Sequence, residues 1–282
     1  MIEILNELEA LRERVRGWKQ DGLRVAFVPT MGNLHDGHFS LVRLARTRAD
    51  RVVASVFVNP TQFGPNEDFA QYPRTPEADA RGLEAAGCDA MWLPSVETMY
   101  PYGVDATVRV QVPRVTEVLE GAHRPGHFDG VATVVSRLFN QVQPDVAVFG
   151  RKDYQQLAVI RYMARDLAFP VEIVGADIVR ETNGLAMSSR NQYLSVEERS
   201  QAAAIHRCLQ VMADAIRAGR PREAVEREAH ERLVADGFRP DYAVVRRQDL
   251  TEPADDETVP RVALIAARLG RTRLIDNLEF DA

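Results

Sequence analysis

Cysteine is scarce in this chain. Its two cysteines, Cys88 and Cys208, lie far apart with no C-x-x-C spacing, which argues against a disulfide framework and a thiol zinc site. Basic runs are missing too, and the net charge is −6. A partner gripped by diffuse positive charge, nucleic acid above all, is therefore excluded. No apolar run approaches membrane-spanning length. The opening stretch MIEILNELEALRERVRGW is amphipathic and carries acidic residues, unlike a signal or transit peptide. Internal repeats and low-complexity segments are absent. These absences predict a cytoplasmic protein with no membrane partner. What is present, 282 residues with 45% hydrophobic and 27% charged, fits one large or two ordinary globular domains with a real core.

The chain is organised around residues 25–44, VAFVPTMGNLHDGHFSLVRL. Val25, Ala26, Phe27 and Val28 make an apolar run of strand length, which Pro29 is expected to end because it cannot donate to a ladder. Gly32, His35, Gly37 and His38 follow. Phe39, Leu41, Val42, Leu44 and Ala45 then recur at helical spacing. Strand, glycine-containing turn and helix is how an open α/β sheet builds a phosphate site. Free N–H groups at the helix start and the helix dipole both favour an anion there. Gly32 and Gly37 are spaced as in a P-loop, yet His38 replaces its lysine and Phe39 its Ser/Thr, which excludes a magnesium-gripping P-loop. Imidazoles at i and i+3 instead suit hydrogen bonds to α- and β-phosphate oxygens during attack at the α-phosphorus. The competing reading is an ordinary βα turn with two surface histidines.

Around this stretch the pattern predicts an N-terminal parallel sheet. Ile4, Leu8, Leu11, Val15 and Trp18 form one stripe of a helix over residues 2–20. A buried strand is expected over 51–58. The loop NPTQFGPNEDFAQYPRT beyond it carries Asn59 and Gln62, whose amides suit a small hydroxy acid or simply cap a surface loop. A helix over 76–87 and a strand over 88–93 come next. Residues 95–126 read as irregular with one strand, 107–112. The segment GAHRPGHFDG (121–130) lacks a metal motif such as H-E-x-x-H and reads as a loop over the substrate or at a subunit contact. After a helix over 131–142 and a strand over 145–149, GRKDYQQLAV repeats the arrangement of strand, glycine, polar turn and helix. There Lys152 is a candidate phosphate cation, Asp153 either touches magnesium or caps the helix, and Gln156 faces the pocket if the helix starts near Asp153.

A strand over 171–174 leads to GADIVRETNGLAMSSRNQYLS, with a tight turn at Asn183-Gly184. Ser188, Ser189 and Arg190 suit β- and γ-phosphate oxygens, since arginine is bidentate and permanently charged; alone, such a string more often marks a solvated loop. From Ser195, a capping box, the character changes. A long helix to about Gly219, a second from Pro221 to about Asp236, and strands over 241–246, 261–268 and 272–280 predict a small, mostly antiparallel module. The fold class is α/β: a Rossmann-like N-terminal domain (1–178) followed by a smaller α+β domain (179–282).

PTMGNLHDGH resembles the HxGH signature of the nucleotidyltransferase superfamily and, in full, the opening motif of the pantoate–β-alanine ligase (pantothenate synthetase) family. FVNPTQF, YPRT, RPGHFDGV, the G-x-K-D segment and LAMSSRN resemble that family as well, over residues 29–195, with weaker agreement in ARLGRTRLIDN. Arg151 stands where an acidic or lysine residue is more usual. The resemblance implies an ATP- and magnesium-dependent ligase that forms pantoyl adenylate from (R)-pantoate and transfers it to β-alanine. It implies ATP contacts at Met31, Gly32, Asn33, Leu34, His35, Asp36, Gly37 and His38, at Gly150, Arg151, Lys152 and Asp153, and at Val179, Met187, Ser188, Ser189 and Arg190. Gln62, Gln156 and Asn59 would bind pantoate or β-alanine; His38, His35, Lys152 and Arg190 would be catalytic, with His38 the favoured proton donor or electrostatic stabiliser. Closure of the second domain over ATP and a homodimer formed through the first are further expectations. A nucleotidyltransferase that keeps its adenylate, or a non-catalytic ATP-sensing module, are the alternatives.

Overall fold

A computed structural model describes residues 2–64, 69–254 and 257–281. The chain divides into two compact units, Met1–Arg151 with Gln155–Asp177, and Lys152–Tyr154 with Ile178–Ala282.

The larger unit runs β1 (Glu3–Leu5), α1 (Leu8–Gln20), β2 (Val25–Thr30), α2 (Asp36–Arg46), β3 (Arg51–Val56), a 3-10 turn (Pro60–Gln62) and α3 (Pro76–Ala85). It continues through β4 (Ala90–Trp92), α4 (Val96–Met99), α5 (Glu120–His123), α6 (His127–Val142), β5 (Val146–Gly150), α7 (Tyr154–Asp166) and β6 (Glu172–Ala176). Six strands in the order β1-β4-β3-β2-β5-β6 pair in parallel throughout. The central strands β2 to β5 are apolar on both faces because helices cover both. Val25 and Phe27 pack in one cluster with Leu138, Leu157 and Ile160. Ala26 and Val28 point the other way, into a cluster with Leu41, Val42 and Leu83. Strand order reverses between β2 and β5, so the ligand crevice of such a sheet lies beyond their carboxyl ends. Two polar turns leave from there: residues 31–35 after β2, and the turn that begins at Arg151 after β5.

Four local expectations give way. The stripe over 2–20 is interrupted: residues 3–5 form β1 and pair with Ala90–Trp92 at the sheet edge. Pro29 does not end β2. Phe57 N donates to Thr30 O, so alternation turns Pro29's missing N–H toward β5, whose pairing with β2 stops at Phe27. Residues 107–112 form no strand; Val110 N donates to Thr133 Oγ1 on α6 (2.9 Å), and buried Val112 joins the core. Alternation there records packing on a helix, not a ladder. The stretch 121–130 is largely helical, because α6 starts at His127 behind Gly126, whose φ is +79°.

The smaller unit contains a 3-10 turn (Ser189–Tyr193), α8 (Val196–Ala202), α9 (Ala204–Arg217), α10 (Arg222–Ala235) and the antiparallel sheet β7 (Arg239–Arg247), β8 (Arg261–Leu269), β9 (Thr272–Phe280). The reciprocal cap of Ser195 and Glu198 starts α8 as expected. The single long helix is instead broken at Ala203, where ψ of −15° is nearer a 3-10 than an α value. Ile205, Leu209, Met212 and Ile216 of α9 and Val225, Ala229 and Leu233 of α10 cover Val245, Ala263 and Ile265 of the sheet.

Candidate active site

The turn after β2 is held from below. Thr30 Oγ1 donates to Ser55 O (2.6 Å) and accepts from Gly32 N (3.3 Å). Gly32 takes a φ of +84°, and a Cβ there would also meet Val56 Cγ1 at 3.0 Å and Asp79 Oδ2 at 3.1 Å. Glycine is required for both reasons. Asp79 of α3, 2% exposed, accepts from Asn33 N (3.0 Å), Leu34 N (2.8 Å) and Thr75 Oγ1 (3.2 Å). A buried carboxylate thus fixes the backbone that enters the motif. No spacing in the sequence connects it to that turn.

His35 is the N-cap of α2. Its Nδ1 accepts from Gly37 N (3.1 Å), while His38 Nδ1 accepts from His35 N (3.3 Å), a reciprocal cap built from two imidazoles. The ring centroids are 4.1 Å apart. Since each Nδ1 accepts, each neutral ring carries its proton on Nε2. The pair therefore supplies hydrogen-bond donors at a helix start, next to the backbone of residues 32–38.

Beyond β3, Asn59 is 1% exposed and saturated. Its Nδ2 donates to Gln62 Oε1 (3.0 Å) and Gly130 O (3.2 Å). Its Oδ1 accepts from Tyr100 Oη (2.6 Å) and Thr61 Oγ1 (3.0 Å). Burial raises the Tyr100 pKa, against the opposing pull of Thr61 and Arg137, which keeps the phenol a donor. Asn59 thereby settles the amide of Gln62: Oε1 faces Asn59, and Nε2 lies 3.0 Å from Met31 Sδ as a donor. Residues 65–68 of this loop lie outside those described.

After β5, Gly150 pairs with Ala176, and Arg151 N donates to Ala176 O (2.8 Å). The Arg151 guanidinium sits 3.8 Å from Asp177. Gln156, on the first turn of α7, is half-buried. Its neighbour Gln155 is buried and fully engaged, its Nε2 donating to Val115 O and Val118 O (2.7 Å each) and its Oε1 accepting from Glu120 N (2.9 Å).

Lys152 and Asp153 belong to the smaller unit. Asn277 Nδ2 donates to Lys152 O (2.9 Å), and Tyr154 Oη donates to Glu279 (3.0 Å), so β9 anchors this segment. Lys152 Nζ is 4.0 Å from Asp153, whose side chain is half-exposed. In the same unit Met187 N donates to Val179 O (2.9 Å). Ser188 Oγ then accepts from Arg190 N (3.2 Å), starting the turn that carries Ser189 and Arg190. Asn191, 3% exposed, donates to Ala186 O and to Glu181 (3.0 Å each). Glu181 is in turn paired with Arg199 through two bonds of 2.7 and 2.8 Å. The Arg199 hydrogen bond holds Glu181 below the usual glutamate range.

Among the described residues no group of three His, Cys, Asp or Glu side chains could hold a metal, and no helix is long and apolar enough to cross a membrane. Sequence reading missed Asp79, Tyr100, Asn191 and Glu181 and left open whether His127 reaches the site; each acts on a motif residue through hydrogen bonds.

A parallel sheet whose β2–β3 crossover opens on an HxGH helix start, beside the point where strand order reverses, defines an α/β protein of the HxGH type. More narrowly, the chain belongs to the pantoate-beta-alanine ligase family, whose model matches residues 3–279. The pantothenate synthetase of Xanthomonas euvesicatoria pv. vesicatoria is 69% identical over 280 residues, 99% of this chain and 100% of that protein. The crystal structure of pantothenate synthetase from Thermus thermophilus matches with a TM-score of 0.90 at 47% identity, covering 98% of this chain and 99% of the other. The pantoate-beta-alanine ligase of Francisella tularensis, complexed with beta-gamma ATP and beta-alanine, matches at 0.82 and 30% identity, covering 99% and 97%.

Proposed function

We propose that this chain condenses (R)-pantoate with β-alanine at the expense of ATP, through a pantoyl adenylate. The observation that carries the reading is the doubly capped His35–His38 helix start at the end of β2, in a chain matched along its length to a ligase family. A pantoate carboxylate oxygen attacks the α-phosphorus, the bond to the bridging oxygen breaks, and pyrophosphate leaves. The β-alanine amine then attacks the acyl carbon and AMP departs.

Two anions must approach and a polyanion must leave, so the site has to neutralise charge as it moves. The Nε2–H groups of His35 and His38 and the backbone of residues 31–38 take the α- and β-phosphate oxygens, with His38 stabilising the moving charge through its Nε2–H hydrogen bond. Lys152, Ser188, Ser189 and Arg190 take the growing charge on pyrophosphate, while Gly150, Arg151, Asp153, Val179 and Met187 complete the nucleotide's surroundings. Gln62, as a donor, and Gln156 hold pantoate in line, and such positioning is worth roughly 7 kcal/mol or more. Asn59 serves by orienting Gln62.

Magnesium belongs with the nucleotide. It is typically held by one or two carboxylates plus phosphates, and the half-exposed carboxylate of Asp153 fits that need. In this reading the larger unit binds ATP and pantoate, the smaller one is a lid, and the enzyme works as a cytoplasmic homodimer.

The test is AMP production from ATP, magnesium and pantoate, with and without β-alanine. Rapid AMP release only when both acids are present is expected. AMP formation indifferent to β-alanine, or none with both, overturns the proposal.

A further inference from the structure

We infer that His127, oriented by Arg124, is a positioning residue for Gln62. The inference rests on the reading of Gln62 as a pantoate-holding donor. The Gln62 side chain is set by Asn59, but that grip fixes the donor only if the backbone behind it is also fixed. His127, the first residue of α6, supplies that second hold: its Nδ1 lies 2.8 Å from Gln62 O, and its Nε2 lies 3.0 Å from Arg124 Nη1. A guanidinium only donates and a carbonyl only accepts. Both contacts therefore demand one state of the ring, neutral, with the proton on Nδ1 and a lone pair on Nε2.

The surroundings agree. Gly130, one turn along α6, lets the helix lie directly on the turn that carries Gln62. A Cβ there would collide with Thr61 O and come within 2.7 Å of Gln62 Cα. The Gly130 carbonyl in turn accepts from Asn59 Nδ2 (3.2 Å). The start of α6 thus holds Gln62 from two sides, through its main chain and through Asn59.

The test is a double-mutant cycle on steady-state kinetics with pantoate varied at saturating ATP and β-alanine, and ATP varied in a second series. Gln62→Ala and His127→Ala should each raise the pantoate KM, the latter by about 10-fold, with the ATP KM nearly unmoved. The double variant should be no worse than Gln62→Ala alone, because both losses act through one donor. An asparagine amide nitrogen can occupy the place of Nδ1, so His127→Asn should recover to within about 3-fold of the parent, whereas His127→Gln should not. That pair carries the test if His127→Ala does not fold. Multiplying effects, or Asn and Gln variants that behave alike, overturn the inference. A Gln62→Ala defect without a His127→Ala defect overturns it alone; a pantoate KM untouched by Gln62→Ala removes the reading of Gln62 as well.

Discussion

The turn after β2 and the turn after Met187 are both assigned to the nucleotide's phosphates, yet they are built differently. Residues 32–38 are pinned by a carboxylate 2% exposed and by two rings that cap each other's backbone. Residues 188–191 rest on a hydroxyl that takes one backbone N–H, and on Asn191, whose partner Glu181 pairs with the half-exposed Arg199. A segment fastened in a core opens only at high free energy, whereas one tied near solvent opens cheaply. The first turn is therefore the more firmly fixed of the two, and the second is the one that opens more readily.

The sharpest break is at the imidazole. In His38→Asn the amide oxygen can still accept from His35 N, so the cap survives while Nε2 is lost. Adenylation should fall by at least about 100-fold with the fold intact. Lys152→Ala should do comparable damage with the fold likewise intact, because the packing contact at that residue uses its carbonyl, bonded to Asn277. Near-normal turnover in either variant removes that residue from the chemistry.

Supports separate the two turns further. Asp79→Asn places an amide N–H against a backbone N–H inside the protein and should cost about 2 kcal/mol in thermal or denaturant unfolding. Glu181→Gln, at a pair open to solvent, should cost less than about 1 kcal/mol. Equal costs would erase the contrast. Because Glu181 titrates lower in the folded protein than when unfolded, its contribution is present above the usual glutamate range and fades as pH falls below about 4.3. The Glu181→Gln variant should therefore lose less stability on acidification than the parent, and a steeper acid loss would reverse the assignment.

What could be read from residue order was whatever is local. Strand, turn and helix around His35 and His38 are contiguous, and so is the box at Ser195; both appear as expected. Pro29 misled because its effect depends on which neighbour its missing N–H faces, a property of sheet order. Val110 and Val112 misled because alternation looks the same whether it packs on a helix or sits in a sheet. The supports of the site were invisible for a related reason. Tyr100 reaches Asn59 from 41 residues away and His127 reaches Gln62 from 65, and no periodicity links positions that meet only after folding. Asn191 and Glu181 are only 10 residues apart, but their pairing follows from a turn geometry that the residue types alone do not specify.

The most direct measurement is pantoate-dependent exchange of labelled pyrophosphate into ATP without β-alanine. The account predicts exchange in the parent protein that needs pantoate and magnesium and collapses in His38→Asn and in Arg190→Ala alike. Exchange absent from the parent, or unaffected by loss of either turn's side chain, would contradict the claim that both turns serve one nucleotide.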